Sequence, residues 1–180
     1  MSRIEVMETE RLFIRELDYN DFDAIHRIKS NKKVVRYITW GPNDEIQTRK
    51  ALDKQIEFQE DSNRTKYVFA IVLKLTNELI GNGLLSIRDN ETGEIGYFFH
   101  PDYWGKGFGS ETGKALIEFG FEKLNLHRIV ATCDVENADS IKILRKLGMR
   151  QEGHFIKDQQ IRGVWRDTLL FGILSEEFLK

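Results

Sequence analysis

Gly96-Tyr-Phe-Phe-His-Pro-Asp-Tyr-Trp-Gly-Lys-Gly-Phe-Gly-Ser-Glu111 is the stretch whose reading decides the fold. An apolar strand over 95–99 meets a turn at Pro101-Asp102 and then a glycine-rich loop. A helix is expected directly behind the loop, from near Ser110. Gly105, Gly107 and Gly109 let backbone N–H groups turn toward one point without Cβ interference. The helix N-terminus adds unpaired donors and a partial positive charge. The pattern predicts an anion site suited to a phosphate or pyrophosphate, to which Lys106 adds a point charge. The spacing is neither that of a Walker A loop nor that of a dinucleotide fingerprint. A plain tight strand-to-helix connection would use the same glycines, so the loop alone leaves both readings open.

Working outward, 12–17 alternates as a strand. Residues 19–21 offer a cap for a helix carrying Phe22, Ile25 and Ile28. The run 34–40 is apolar and irregular, and a second helix is expected over 44–59. Strands over 67–73, 79–87 and 94–100, joined by turns at 76–77 and 90–93, predict an antiparallel meander. Beyond the loop come a helix over 110–123, a strand over 128–135 and a helix over 137–147 stopped by Gly148. A hairpin of 150–157 with 165–174 closes the chain. A meander followed by a β-α-β unit predicts an α/β (α+β) fold, with a mixed, mostly antiparallel sheet and helices on both faces.

A chain of 180 residues is read as one domain, 1–180, with enough core to stand without staples. Its 41% hydrophobic and 31% charged residues are ordinary for a globular protein. A net charge of −2 gives no footprint for nucleic acid. The single cysteine, Cys133, has no internal partner and lies in an apolar run, so it reads as a core residue in a reducing compartment. No apolar run approaches the ~20 residues that span a membrane, and the N-terminus lacks the apolar segment of a signal peptide. A cytoplasmic location is expected.

The loop resembles the acyl-CoA-binding motif of the GNAT N-acetyltransferase superfamily, Q/R-x-x-G-x-G/A, here Trp104-Gly105-Lys106-Gly107-Phe108-Gly109. Trp104 departs from the Gln or Arg of that pattern, and tryptophan there resembles the RimJ/RimL branch. Thr9-Glu-Arg-Leu-Phe-Ile-Arg15, Glu94-Ile-Gly-Tyr97, Asn137-Ala-Asp-Ser140 with Leu147-Gly148-Met149, and Gly153 with Gly163 and Asp167 resemble other segments of the branch in the same order. The resemblance implies a V-shaped split between the strands at 94–100 and 128–135. Acetyl-CoA would enter it as co-substrate, with its pantetheine arm along the edge of strand 94–100. The residues implied to hold it are Phe98, Phe99 and His100, then Trp104, Gly105, Lys106, Gly107, Phe108, Gly109 and Ser110, and finally Asn137 and Ser140. No metal is implied.

Acetyl transfer to an amine needs a base, since a free amine has a pKa near ~10. It also needs a donor for the thioester oxygen. A thiolate whose acid has a pKa of about 8.5 leaves without strict need of an acid. Glu94 is the first candidate base, His100 the second. The N–H groups of Phe99 and His100 are candidates for polarising the thioester carbonyl. Asn137 reads as a helix cap with Ser140 in the first turn. The resemblance implies further that Ser140 lies near the sulfur. The tyrosine that many GNAT enzymes use as general acid, four residues on, is here Leu144. Trp40, Tyr103, Trp165 and Asp167 are candidates for bordering an acceptor site.

The function expected is transfer of acetyl from acetyl-CoA to a primary amine, on a small molecule or a protein. No nucleic-acid or membrane partner is expected, and a homodimer is compatible with the reading. Two alternatives stay open: a catalytically weak acyl-CoA sensor with the same fold, and an unrelated phosphate-binding module.

Overall fold

The chain opens on β1 (Met7–Glu8) and β2 (Leu12–Glu16), antiparallel to one another. The structure, a computed structural model, describes residues 5–89 and 91–178. Asn90, part of an expected turn, lies outside them. Two helices follow, α1 (Phe22–Lys29) and α2 (Glu45–Glu60). Asp44 caps α2 in a reciprocal box with Gln47. Asp18, not the expected 19–21 segment, caps the short turn leading into α1. The Asp21 carboxylate instead accepts from both terminal nitrogens of the Arg15 guanidinium and from the Asp18 N–H.

The meander forms as expected: β3 (Lys66–Leu73), β4 (Glu78–Ile87) and β5 (Thr92–Phe99). Behind the loop come α3 (Phe108–Glu118), β6 (Arg128–Asp134) and α4 (Ala138–Lys146). The chain closes with β7 (Arg150–Ile161), β8 (Val164–Leu174) and a single turn, α5 (Ser175–Phe178), which the sequence reading did not anticipate. The sheet order is β1-β2-β3-β4-β5-β6-β8-β7, and β5–β6 is its parallel pair.

Alternation along β3 shows how the sheet serves two layers. Phe69 and Ile71 pack with Ile95, Phe99, Leu116 and Ile117 beneath α3 and α4. Val68, Ala70 and Val72 pack on the other face with Ile25 and Leu52 of α1 and α2. Burying each of the Val, Leu, Ile and Phe side chains among these stabilises the fold by about 1.5–3 kcal/mol. The helices on both faces that the meander predicted are therefore present.

Three boundaries differ from expectation. Helix α3 starts at Phe108, two residues early, because Gly107 at φ +85° makes its N-terminal turn. It ends at Glu118, and a wider i→i+5 turn carries Phe119–Lys123. That widening lets Phe119 and Phe121 both reach the core, with Gly120 closely packed between Ile129 and Leu85. The final hairpin runs to a tight turn at Arg162-Gly163, both at positive φ. Extra residues bulge from β7 between Phe155 and Gln159.

Candidate active site

The site begins where β5 and β6 part. Their parallel pairing covers Thr92↔Arg128, Gly93↔Ile129 and Glu94↔Val130, and stops there. Residues 95–99 and 131–134 therefore diverge, which is the V-shaped split expected between these strands. Backbone groups of a strand point alternately to its two neighbours. The His100 N–H donates to Ile80 O of β4 at 3.0 Å. By that parity the backbone groups of Tyr97 and Phe99 face the split. The expectation that the N–H groups of both Phe99 and His100 polarise a thioester is corrected accordingly. His100 spends its N–H inside the sheet, and Phe99 retains one aimed at the opening. The Trp104 indole N–H donates to Phe99 O at 2.9 Å, tying the loop to the strand end.

The loop closes one end of the split. Gly105 and Gly107 sit at φ +72° and +85°, left-handed backbone that side chains rarely adopt. A Cβ on Gly105 would meet nothing within 4 Å, so the cradle is open above it. Gly109 plays a different part from the one expected. It lies inside α3, and a Cβ there would come 2.8 Å from Ile143 Cδ1 of α4. Its smallness serves helix packing, not the cradle. Gly113, one turn on, does the same against Leu147 and was not anticipated.

A brace that the sequence reading passed over holds the loop. Glu111, in the first turn of α3, accepts from the Thr9 hydroxyl at 2.6 Å and from the Arg11 N–H and Nε, both at 2.8 Å. Burial works against its charge, but these bonds outweigh it and hold the carboxyl below the usual range. Arg11 also donates to Lys106 O at 2.9 Å and stacks 4.4 Å over Phe108. The signal was present in Thr9-Glu-Arg11, whose conformation only the distant partner Glu111 explains.

The opposite face of β5 carries Glu94, Phe98 and His100. The Glu94 carboxylate takes Arg88 Nε at 2.9 Å and the Thr132 hydroxyl at 3.1 Å. It lines a cavity of about 380 Å³ with Arg88, Thr132, Asp158 and Gln159. A second cavity of about 200 Å³ shares Thr132, Gln159 and Thr168 and continues to Tyr37, Asp134 and Arg166. Together they form one groove. Asp134 and Arg166, both missed from sequence, pair through two bonds at 2.8 and 2.7 Å. Burial opposes the Asp134 charge, but Arg166 and the Glu136 N–H hold its carboxyl below the ordinary value. Arg162, at the tip of the final hairpin, donates to the carbonyls of Val35, Arg36 and Gly41 and so clamps the segment between α1 and α2 beside the groove.

His100 stands six residues from Glu94, about 20 Å along a strand. The two candidate bases therefore do not meet. The His100 ring contacts Arg27 and Asp102 on the loop side. Tyr103 gives its hydroxyl to Glu78 at 2.6 Å, which pushes its pKa up to about 12. Trp40 meets Phe98 edge-on, ring centroids 5.5 Å apart, and remains beside the split. Trp165 and Asp167 do not border the groove. They lie on the face of β8 opposite Arg166 and Thr168, since side chains alternate along a strand. Asp167 is committed to the β7 bulge, accepting from the Lys157 N–H at 2.9 Å and contacting His154 at 2.7 Å.

Asn137 caps α4, accepting from the Ser140 N–H at 3.2 Å. Burial pushes the Cys133 thiol of β6 up to about 11, an effect that the nearby Ser140 hydroxyl partly offsets. Cys133 is buried, as expected. Leu144, at the position of the missing tyrosine, is buried in the core beneath α4. Among the described residues no cluster of metal-ligating side chains occurs, and no helix is long and apolar enough to cross a membrane.

An eight-stranded sheet that splits beside a glycine loop and a helix N-terminus is the layout that the GNAT resemblance implies. A family profile described as "Acetyltransferase (GNAT) domain" matches residues 11–150. An uncharacterised N-acetyltransferase of Bacillus subtilis, YnaD, is 37% identical over 94% of this chain and 97% of its own length. A GNAT-family acetyltransferase structure from Bacillus anthracis superposes with a TM-score of 0.86 at 34% identity, covering 96% of this chain and all of that one. The structure of spermidine N-acetyltransferase from Vibrio cholerae with CoA and spermine shares the fold, with a TM-score of 0.84 at 23% identity over 96% of this chain and all of that one. The chain belongs to the GNAT acetyltransferase family. It is an N-acetyltransferase whose co-substrate is acetyl-CoA.

Proposed function

We propose that acetyl-CoA and a primary amine approach the split from opposite faces of the sheet and react directly in a ternary complex. The observation that carries this reading is the end of β5–β6 pairing at Glu94↔Val130. It leaves the backbone of Tyr97 and Phe99 open between the glycine loop and the Glu94 groove. On the α3 side, the Gly105–Gly107 cradle and the α3 N-terminus suit the pyrophosphate. The free edge of β5 suits the pantetheine amides. The Phe99 N–H is the donor for the thioester oxygen. On the α1–α2 side, Glu94 receives the proton of the amine, directly or through one water. Arg88 and Thr132 fix the orientation of its carboxylate.

The lining of the groove bears on the acceptor. Glu94, Asp134 and Asp158 against Arg88 and Arg166 give three negative charges and two positive, a net of −1. That suits an acceptor presenting one ammonium, such as a protein N-terminus or a small monoamine, better than a polyamine. It accords with the RimJ/RimL-like resemblance carried by Trp104. Release of CoA with a panel of N-terminal peptides, monoamines and polyamines tests the assignment. Turnover with the single-ammonium acceptors is expected. Preference for the polyamines would overturn the charge argument.

A further inference from the structure

The Tyr97 hydroxyl is buried and has no hydrogen-bond partner among the described residues. Its ring projects from β5 toward α3. Ideal Cβ atoms on Gly109 and Gly113 would lie 3.5 Å and 3.3 Å from its edge, so both glycines leave it room. Phenylalanine would fill the same space without burying an unmatched O–H, which is costly in a folded protein. Such a group points to a partner that arrives with a ligand.

Register says where the hydroxyl stands. Glu94 pairs with Val130, and three residues further on each strand bring Tyr97 opposite Cys133, across the opened split. Burial first, and then the neighbouring Cys133, push the Tyr97 hydroxyl above its ordinary value. The Ser140 hydroxyl of α4 partly offsets the upward push of burial on the Cys133 thiol. Tyr97 and Cys133 thus face one another across the split, with Ser140 in the first turn of α4 nearby, on the α3–α4 side proposed for acetyl-CoA.

We propose that the Tyr97 hydroxyl donates a hydrogen bond to the sulfur of bound acetyl-CoA and stabilises the thiolate as it departs. This rests on the acetyl-transfer reading above. As the amine nitrogen bonds to the acetyl carbon, the carbon–sulfur bond breaks and its electron pair goes to sulfur. The amine proton goes to Glu94 or its water. Tyr97 keeps its own proton, because a buried phenol holds it more tightly than a thiol whose pKa is about 8.5. CoA leaves as the thiolate and is protonated by solvent. The role belongs to a strand residue here, because the α4 position of the usual tyrosine is Leu144, which is buried in the core.

The test compares binding of CoA with desulfo-CoA, which lacks only the sulfur, to wild type and to Tyr97→Phe. Wild type is expected to prefer CoA by about three- to tenfold, the range of one net hydrogen bond. Tyr97→Phe should abolish that preference while binding desulfo-CoA as wild type does, and it should fold with an unchanged or higher Tm. With acetyl-CoA its kcat should fall about tenfold or more at constant acetyl-CoA KM. Equal affinity of wild type for CoA and desulfo-CoA overturns the proposal without need of the variant, as does an undiminished preference in Tyr97→Phe. If wild type binds neither compound, the acetyl-CoA reading itself fails.

Discussion

Lys29 closes α1 with 4% of its surface exposed, its ammonium 5.4 Å from the Trp40 ring. Burial alone lowers its pKa from 10.5 to about 8. The protonated form is therefore penalised in the fold and free of penalty in the unfolded chain. Between those two pH values the unfolded chain binds more protons, so folding stability rises with pH through that window. Below about pH 8 the full penalty applies, on the order of 3 kcal/mol for the difference between 10.5 and about 8. Lys29→Met keeps most of the stem and removes the charge. For a chain of this size, that gain corresponds to about 6–12 °C in Tm at pH 7. Scanning calorimetry of both proteins from pH 6.5 to 10 provides the check. The gap should be widest at the acid end and close as pH approaches 10. A Tm difference independent of pH, or a less stable Met variant at pH 7, would refute the reasoning.

Other consequences are as direct. Glu94→Gln should lower turnover by about 10²–10⁴-fold with acetyl-CoA affinity preserved; a loss under about threefold in steady-state kinetics makes Glu94 structural. Gly107→Val and Gly109→Val should separate. The first strains a left-handed residue beside the cradle and weakens acetyl-CoA binding. The second drives into Ile143 and lowers Tm before it touches affinity; calorimetry and equilibrium binding on the pair distinguish them. Trp165→Ala should leave the KM of both substrates within about twofold, since mutating an exposed residue away from the groove seldom costs more than about 0.5 kcal/mol. A raised acceptor KM would return Trp165 to the site.

Much of this was legible in the residues. The strand-like runs over 67–73, 79–87 and 94–100, with the turns between them, located the meander; the glycine loop located the helix behind it, and the GNAT resemblance implied the split. What escaped depends on pairs distant in sequence. Thr9, Arg11 and Glu111 make one brace across about 100 positions, and Asp134 finds Arg166 only once β6 and β8 lie side by side. Gly105, Gly107 and Gly109 look alike in sequence. Only φ and the neighbour Ile143 separate cradle glycines from a packing glycine. Asp167 was read as an acceptor contact because nothing local announces the β7 bulge it holds. Glu94 and His100 share a face of β5, and sequence alone does not separate them as alternative bases; the structure shows Glu94 in the groove and the His100 ring turned to Arg27 and Asp102.

The central claim is that the two faces of one split deliver acetyl-CoA and an amine to each other. Equilibrium binding and CoA release on the same preparation test it most directly. The account predicts that acetyl-CoA raises Tm where ATP and NAD do not, and that adding a single-ammonium acceptor then liberates CoA stoichiometrically with acetylated amine. Stabilisation by ATP or NAD in place of acetyl-CoA, or acetyl-CoA binding with no CoA release across the whole amine panel, would contradict it.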